Sequence, residues 1–282
     1  MADTVAGALG AARRRLAEAD IENPGLDARL LVQAAARLTH EEVIAAPDRV
    51  LSEEVCERID TLTDRRLLHE PISKILGVRE FFGRPFIVTR DVLDPRPDTE
   101  ALIDLVLRRA DRTKEIRILD LGSGSGAIGL TLLAELPLSY CTAVDISQEA
   151  LRVMRLNAEA LGVSDRLTLL AGSWFAEVND VFDLIVSNPP YIASGDIDGL
   201  EAEVREFDPE IALDGGINGL DCHRAIAKGS LRRLDLEGMV VVEIGAGQLD
   251  EVKALFAKSG LLLFDQQVDL GGHVRALAFR RT

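Results

Sequence analysis

The sequence predicts a doubly wound α/β fold with a small helical domain in front of it. Three observations carry that prediction. From Ile116 onward, short apolar runs alternate with amphipathic stretches. A glycine-rich loop, Asp120-Leu121-Gly122-Ser123-Gly124-Ser125-Gly126, separates the first run from the stretch after it. The last two apolar runs have no helical stretch between them, which predicts a closing hairpin with one antiparallel strand. The expected core is therefore a seven-stranded, mostly parallel sheet with helices on both faces.

The first seventy or so residues read as helices. Val5, Leu9, Ala12 and Leu16 recur at helical spacing. Leu26, Leu30, Ala34 and Leu38 repeat the pattern after Asn23-Pro24-Gly25, a helix-start signal. Leu51, Val55, Ile59 and Leu62 form a third stripe, with Ser52 placed to cap it ahead of Glu53-Glu54. Residues 1–73 are expected to be a helical bundle, serving either as a docking surface or as a packing extension of the main domain. Residues 74–94 form a linker in which Phe81 to Val88 predicts a hairpin around Gly83 and Pro85. Residues 95–282 form the sheet domain. It opens on Pro95-Arg96-Pro97-Asp98-Thr99-Glu100, where Asp98 or Thr99 is expected to cap a helix.

Strands are expected at Ile116–Leu121, Cys141–Ile146, Leu167–Leu170, Asp183–Ser187 and Met239–Ile244, then near Leu262–Val268 and Val274–Phe279. Helices are expected from Ala127, over Gln148–Leu161, around Cys222–Leu234 and over Leu249–Lys258.

Composition narrows the function classes. With 47% apolar and 28% charged residues the chain reads as an ordinary globular protein. Its net charge of −15 and pI near 4.8 argue against a non-specific grip on nucleic acid, which needs a basic footprint. Cys56, Cys141 and Cys222 are scattered and form no CxxC, so neither a disulfide framework nor a zinc site is expected. The four histidines show no metal-ligand spacing. Arg13-Arg14-Arg15 follows the mildly apolar N-terminal stretch, the wrong order for a signal peptide, and no run reaches a membrane span. A cytoplasmic monomer without metal is expected.

Three motifs carry chemistry. The glycine loop allows a tight turn and close backbone approach to a ligand, and Asp120 ends the strand before it, placed for a cationic amino group. Asp145 ends the next strand, where a carboxylate can accept hydrogen bonds from both ribose hydroxyls. Asn188-Pro189-Pro190-Tyr191 follows the apolar run Leu184-Ile185-Val186 and puts one amide and a rigid row of carbonyls at the sheet edge. Such an edge suits a substrate that donates two hydrogens from one planar nitrogen, an amide or an exocyclic amine. A ribose site, a glycine loop and a tolerance for positive sulfur together fit S-adenosylmethionine. Ser173-Trp174-Phe175 follows the third strand, where Trp174 is placed either against adenine or as rim packing.

Together these residues resemble the HemK/PrmC family of class I, Rossmann-like methyltransferases. The most specific segments are Pro71 to Phe81, Pro95 to Glu100, Asp120 to Gly126 and Asn188 to Tyr191. The resemblance implies transfer of a methyl group from S-adenosylmethionine to the side-chain amide nitrogen of the glutamine in the GGQ motif of peptide-chain release factors. It further implies that Gly122, Ser123, Gly124, Ser125, Gly126, Asp145, Trp174 and Asn188 hold the cofactor. Asn188, Pro189, Pro190 and Tyr191 would hold the glutamine, with Asn188, Pro189 and Tyr191 performing the catalysis. Where the family often carries an acidic residue beside the aromatic, this chain has Ser173. Other readings are a nucleic-acid amine methyltransferase acting on adenine N6 or guanine N2, a catalytically silent binding module, and an NAD-dependent oxidoreductase.

Overall fold

The computed structural model describes residues 4–282. Two compact units emerge: one takes in the described residues up to Val78 together with Ala202–Phe207, the other takes in Arg79–Glu201 and Asp208–Thr282.

The first unit is built from α1 (Val5–Glu18), α2 (Pro24–Ala36), α3 (His40–Ala45), α4 (Glu53–Leu67) and α5 (Ile72–Leu76). Ser52 caps α4 through its hydroxyl, as its sequence context predicts. Thr39 and Glu42 form a reciprocal capping box that starts the short α3, a helix that hydrophobic periodicity does not disclose. The buried face of α2 differs from the expected one. Ala28, Leu31, Val32 and Ala35 face the core, whereas Leu26 is 46% exposed. The physical reason is Asp27. It turns inward to accept from Arg66 Nε at 2.7 Å, and both residues are buried. Arg66 also pairs with Glu203 at 2.7 Å, so that α9 (Ala202–Arg205) belongs to this unit although its chain neighbours belong to the other.

β1 (Val78–Phe81) and β2 (Arg84–Ile87) form the expected hairpin, which from Arg79 onward belongs to the second unit. Its two turn residues, Phe82 and Gly83, both have positive φ, at 50° and 70°, the geometry a two-residue hairpin turn requires. The large sheet contains β3 (Arg117–Leu121), β4 (Tyr140–Asp145), β5 (Leu167–Ala171), β6 (Phe182–Ser187), β7 (Leu234–Glu243), β8 (Leu261–Val268) and β9 (Val274–Arg281). Its order is β5-β4-β3-β6-β7-β9-β8. Strands β3 to β7 run parallel, and β9 is antiparallel to both β7 and β8.

Strand alternation builds two cores. Ile118, Leu184, Val186, Ala276 and Ala278 join α6 (Glu100–Arg109), α7 (Ala127–Glu135) and α8 (Gln148–Leu161) in one cluster. Their neighbours Leu119, Ile185, Leu277 and Phe279 join α10 (Asp221–Arg233) and α11 (Leu249–Lys258) in the other. Phe256 stacks on Phe279 with centroids 4.1 Å apart. β7 begins at Leu234, directly after α10 and ahead of its expected start.

Candidate active site

The chain steps outward from β3 through β4 to β5, then returns to place β6 on the other side of β3. That reversal opens a crevice at the carboxyl ends of β3 and β6, the position where open α/β sheets bind ligands. The glycine loop leaves β3 there, and Asn188 leaves β6.

The loop takes its shape from three glycines at positive φ, Gly122 at 67°, Gly124 at 54° and Gly126 at 84°. A side chain at Gly126 would lie 2.6 Å from Met154 Cγ, whereas the space beside Gly124 is open. Gly122 and Ser123 donate backbone N–H bonds to the Val144 carbonyl at 2.9 and 3.1 Å. Asn157, buried on α8, donates to the Ser125 carbonyl at 2.9 Å and exchanges bonds with both backbone groups of Ile87. It ties the loop to β2. An isolated asparagine in a helix offers no sequence signal for that role.

Asp145 accepts from Gly124 N through one oxygen and from Ser147 N through the other, both at 2.8 Å. Each oxygen keeps a second lone pair for a ligand. Burial raises its carboxyl above the ordinary range, against the pull of those amides. Asp120 is buried beneath the loop and accepts from Gly129 N at 3.0 Å, while its other oxygen has no protein partner among the described residues. Burial pushes its carboxyl up to about 7, with the Asp145 charge adding to the rise.

A cavity of about 270 Å³ lies over these strand ends. Of the sequence-predicted residues, Gly122, Gly124, Asp145, Trp174, Asn188 and Pro190 line it. Asp120, Ser123, Ser125, Gly126, Pro189 and Tyr191 lie outside its lining. Trp174 adopts a positive φ of 51°, and its ring lies against the Cα face of Gly122. Sequence reasoning missed the apolar wall of Val92, Leu93, Ile146, Ile211 and Ala212. Only Ile146 was within reach of it, as the residue after Asp145.

The Arg-Pro-Asp-Thr-Glu segment ahead of α6 does not cap that helix through a side chain. Its polar groups are committed elsewhere. Arg96 donates to Asp208 at 2.7 Å, Asp98 pairs with Arg275 at 2.9 Å, and Glu100 accepts from Phe82 N at 2.9 Å. Thr99 Oγ1 accepts from Asn188 Nδ2 at 3.1 Å. Tyr191 is held from behind: Gln248 donates to its carbonyl at 3.0 Å, and a side chain at Gly219 would lie 2.3 Å from the same oxygen. Its hydroxyl donates to Glu243 Oε1 at 3.3 Å. Burial, then the Glu243 charge, pushes the phenol well above its ordinary range, so Tyr191 stays neutral.

Comparison with known proteins places this geometry. Residues 7–77 match the family model of the PrmC N-terminal domain, and residues 89–203 match the methyltransferase small domain. The chain is 41% identical to the release factor glutamine methyltransferase of Agrobacterium fabrum, with 99% of this chain and 98% of that protein covered. It is 44% identical to that of Cereibacter sphaeroides, with 98% of each covered. The chain belongs to the release factor glutamine methyltransferase family. Among solved structures it resembles the hMettl16 catalytic domain in complex with an RNA hairpin (TM-score 0.57, 18% identity, 83% of this chain and 84% of that chain). It also resembles a methyltransferase from Pyrococcus furiosus (TM-score 0.53, 18% identity, 78% and 98%). At that identity the likeness concerns the fold, which is that of the class I methyltransferases.

Proposed function

We propose that this chain transfers a methyl group from S-adenosylmethionine to the side-chain amide nitrogen of the glutamine in the GGQ motif of peptide-chain release factors. The observation that carries the reading is Asn188, directly after the central strand and on the wall of the same cavity as Gly122, Gly124 and Asp145. The cavity fits the cofactor in chemistry: open glycine backbone for an amino acid end, the second lone pairs of Asp145 for ribose hydroxyls, and Trp174 with an apolar wall for a purine. When bound, S-adenosylmethionine supplies an electrophilic methyl on a sulfonium.

A primary amide nitrogen is a poor nucleophile because its lone pair is delocalised. The protein's contribution is to orient it and strip its water, an effect worth up to roughly 7–11 kcal/mol in ideal intramolecular cases. The Asn188 Oδ1 and the Pro189 carbonyl accept its two N–H groups and stabilise the positive charge that develops on nitrogen. Prolines at 189 and 190 contribute no N–H donors there, so the edge presents acceptors. Tyr191, kept neutral, packs against the planar amide. A strong base is unnecessary before attack, because the methylated, protonated amide is very acidic.

The test is transfer of labelled methyl from cofactor to release factor, DNA and RNA in separate reactions. Label is expected on release factor alone. Asn188→Ala is expected to keep S-adenosylhomocysteine affinity and to lose transfer by at least ~100-fold in single turnover, on the scale of one removed transition-state contact. Label on a nucleic acid in place of release factor contradicts the reading.

A further inference from the structure

The turn between β7 and α11 grips Tyr191 by its hydroxyl, its ring and its carbonyl. Glu243, the last residue of β7, accepts from the hydroxyl through Oε1 at 3.3 Å. Gly245 lies against the ring: a Cβ there would come within 3.1 Å of Tyr191 Cδ2. Gln248, just ahead of α11, donates from Nε2 to the Tyr191 carbonyl at 3.0 Å.

The orientation of the Gln248 amide follows from its partners. A backbone N–H only donates, so Oε1 faces Gly245 N, at 2.9 Å. Carbonyls only accept, so Nε2 faces Tyr191 O at 3.0 Å and Gly219 O at 3.4 Å. The bond to Gly245 is a local turn contact, three residues along the chain. The donor end instead reaches across the fold, to residues 57 and 29 positions away. Its base is rigid: Val252 N donates to the Gln248 carbonyl at 3.0 Å, and Val252 and Phe256 of α11 are buried in the core.

Gly219 closes the other side of the same carbonyl. It has a φ of 70°, and a Cβ on it would lie 2.3 Å from Tyr191 O and 3.0 Å from Gln248 Nε2. Only a glycine allows that approach. Ile192, next in the chain, donates to Leu213 O at 3.1 Å and accepts from Gly215 N at 2.8 Å. The main chain leaving Asn188 is therefore pinned at Tyr191 and again at Ile192.

We propose that Gln248 is a positioning residue for methyl transfer: its hold on the Tyr191 carbonyl fixes the ring against which the substrate amide packs. Its catalytic consequence rests on the glutamine reading above; the hydrogen bonds do not. Gln248 lies outside the lining of the cofactor cavity and acts through Tyr191.

Gln248→Glu keeps side-chain length and the acceptor for Gly245, and turns an oxygen towards two carbonyls in place of the donor. Gln248→Met removes both ends. With S-adenosylmethionine and release factor, kcat is expected to fall about 10- to 100-fold in each, since a displacement of about 1 Å can cost that much, while KM for release factor moves less. A purely local turn role predicts instead that Gln248→Glu stays within a few-fold of the unaltered enzyme. Unchanged S-adenosylhomocysteine affinity checks that each variant folds. A double-mutant cycle separates positioning from general destabilisation: Gln248→Met added to Tyr191→Ala is expected to cost less than about 2-fold more. A further readout needs no substrate. The chain has two tyrosines, so ¹³C-labelled tyrosine gives two sets of NMR signals, those of Tyr140 being assigned by their loss in Tyr140→Phe. The Tyr191 carbonyl and ring signals are expected to shift in both Gln248 variants and those of Tyr140 to stay. Undiminished kcat in Gln248→Glu, additive losses in the cycle, or Tyr191 signals indifferent to both substitutions overturn the proposal. Failure of the unaltered enzyme to methylate release factor overturns the glutamine reading instead, and the tyrosine signals alone then decide whether Gln248 positions Tyr191.

Discussion

At the scale of single residues, the site is a set of buried carboxyls held above their ordinary range. Asp120 is the clearest. Its carboxyl is raised to about 7 by burial, so the folded state favours its proton. The contribution of that group to stability is fully present below its unfolded value of 3.8 and is lost as pH rises through about 7. Each unit of such a shift corresponds to about 1.4 kcal/mol. Asp120→Asn removes the charge, and Oδ1 of the new amide can still accept from Gly129 N. The ligand-free variant is therefore expected to gain in Tm over the parent at pH 8 by several degrees more than at pH 5, measured by calorimetry. An equal difference at both pH values would contradict the buried-charge account. Asp120 and Asp145 were legible in the sequence because the first directly precedes the glycine loop and the second ends the next strand. Glu243 and Asn157 were not, since a glutamate at the end of an apolar run and an asparagine in a helix read as ordinary residues until the fold brings partners to them.

At the scale of elements, local sequence signals set most strands and helices, and buried polar partners set the exceptions. Gln148–Leu161 and Leu249–Lys258 form over the expected residues because apolar periodicity marks both, and the Ser147 hydroxyl caps the first. The face of α2 was misread because the leucine stripe gave no weight to Asp27. A carboxylate turns into a core only when a partner meets it there, and that partner, Arg66, lies on α4. Breaking such a pair leaves an uncompensated buried charge at a cost of about 3–5 kcal/mol. Arg66→Ala is expected to lose that much in chemical denaturation, and the double variant Arg66→Met with Asp27→Leu to lose less. A single variant within about 1 kcal/mol of the parent would show that the pair does not set the face of α2. The segment from Arg96 to Glu100 was read as a capping signal, but each of its polar side chains bonds across the fold, to Asp208, Arg275, Asn188 and Phe82. A motif that looks local is a set of four tertiary anchors around Asn188.

At the scale of the whole molecule, the order of strands makes the site. The reversal between β3 and β6 brings the glycine loop and Asn188, distant in sequence, to the two sides of one crevice. The alternation of strand and helix predicts that topology, and the unhelical final segment predicts its antiparallel end. The apolar cavity wall was hidden because its residues come from separate loops with no shared motif. The net charge of −15 agrees with a protein substrate over a nucleic acid one, since nothing in it supplies the phosphate contacts that non-specific binding requires. The central claim is that Asn188 presents a glutamine side chain to the methyl donor. Mass spectrometry of release factor incubated with this enzyme and S-adenosylmethionine tests it most directly. The account predicts one added methyl, located by fragmentation on the side-chain amide of the GGQ glutamine and absent with Asn188→Ala. An unmodified glutamine, or a methyl on any other residue, would contradict it.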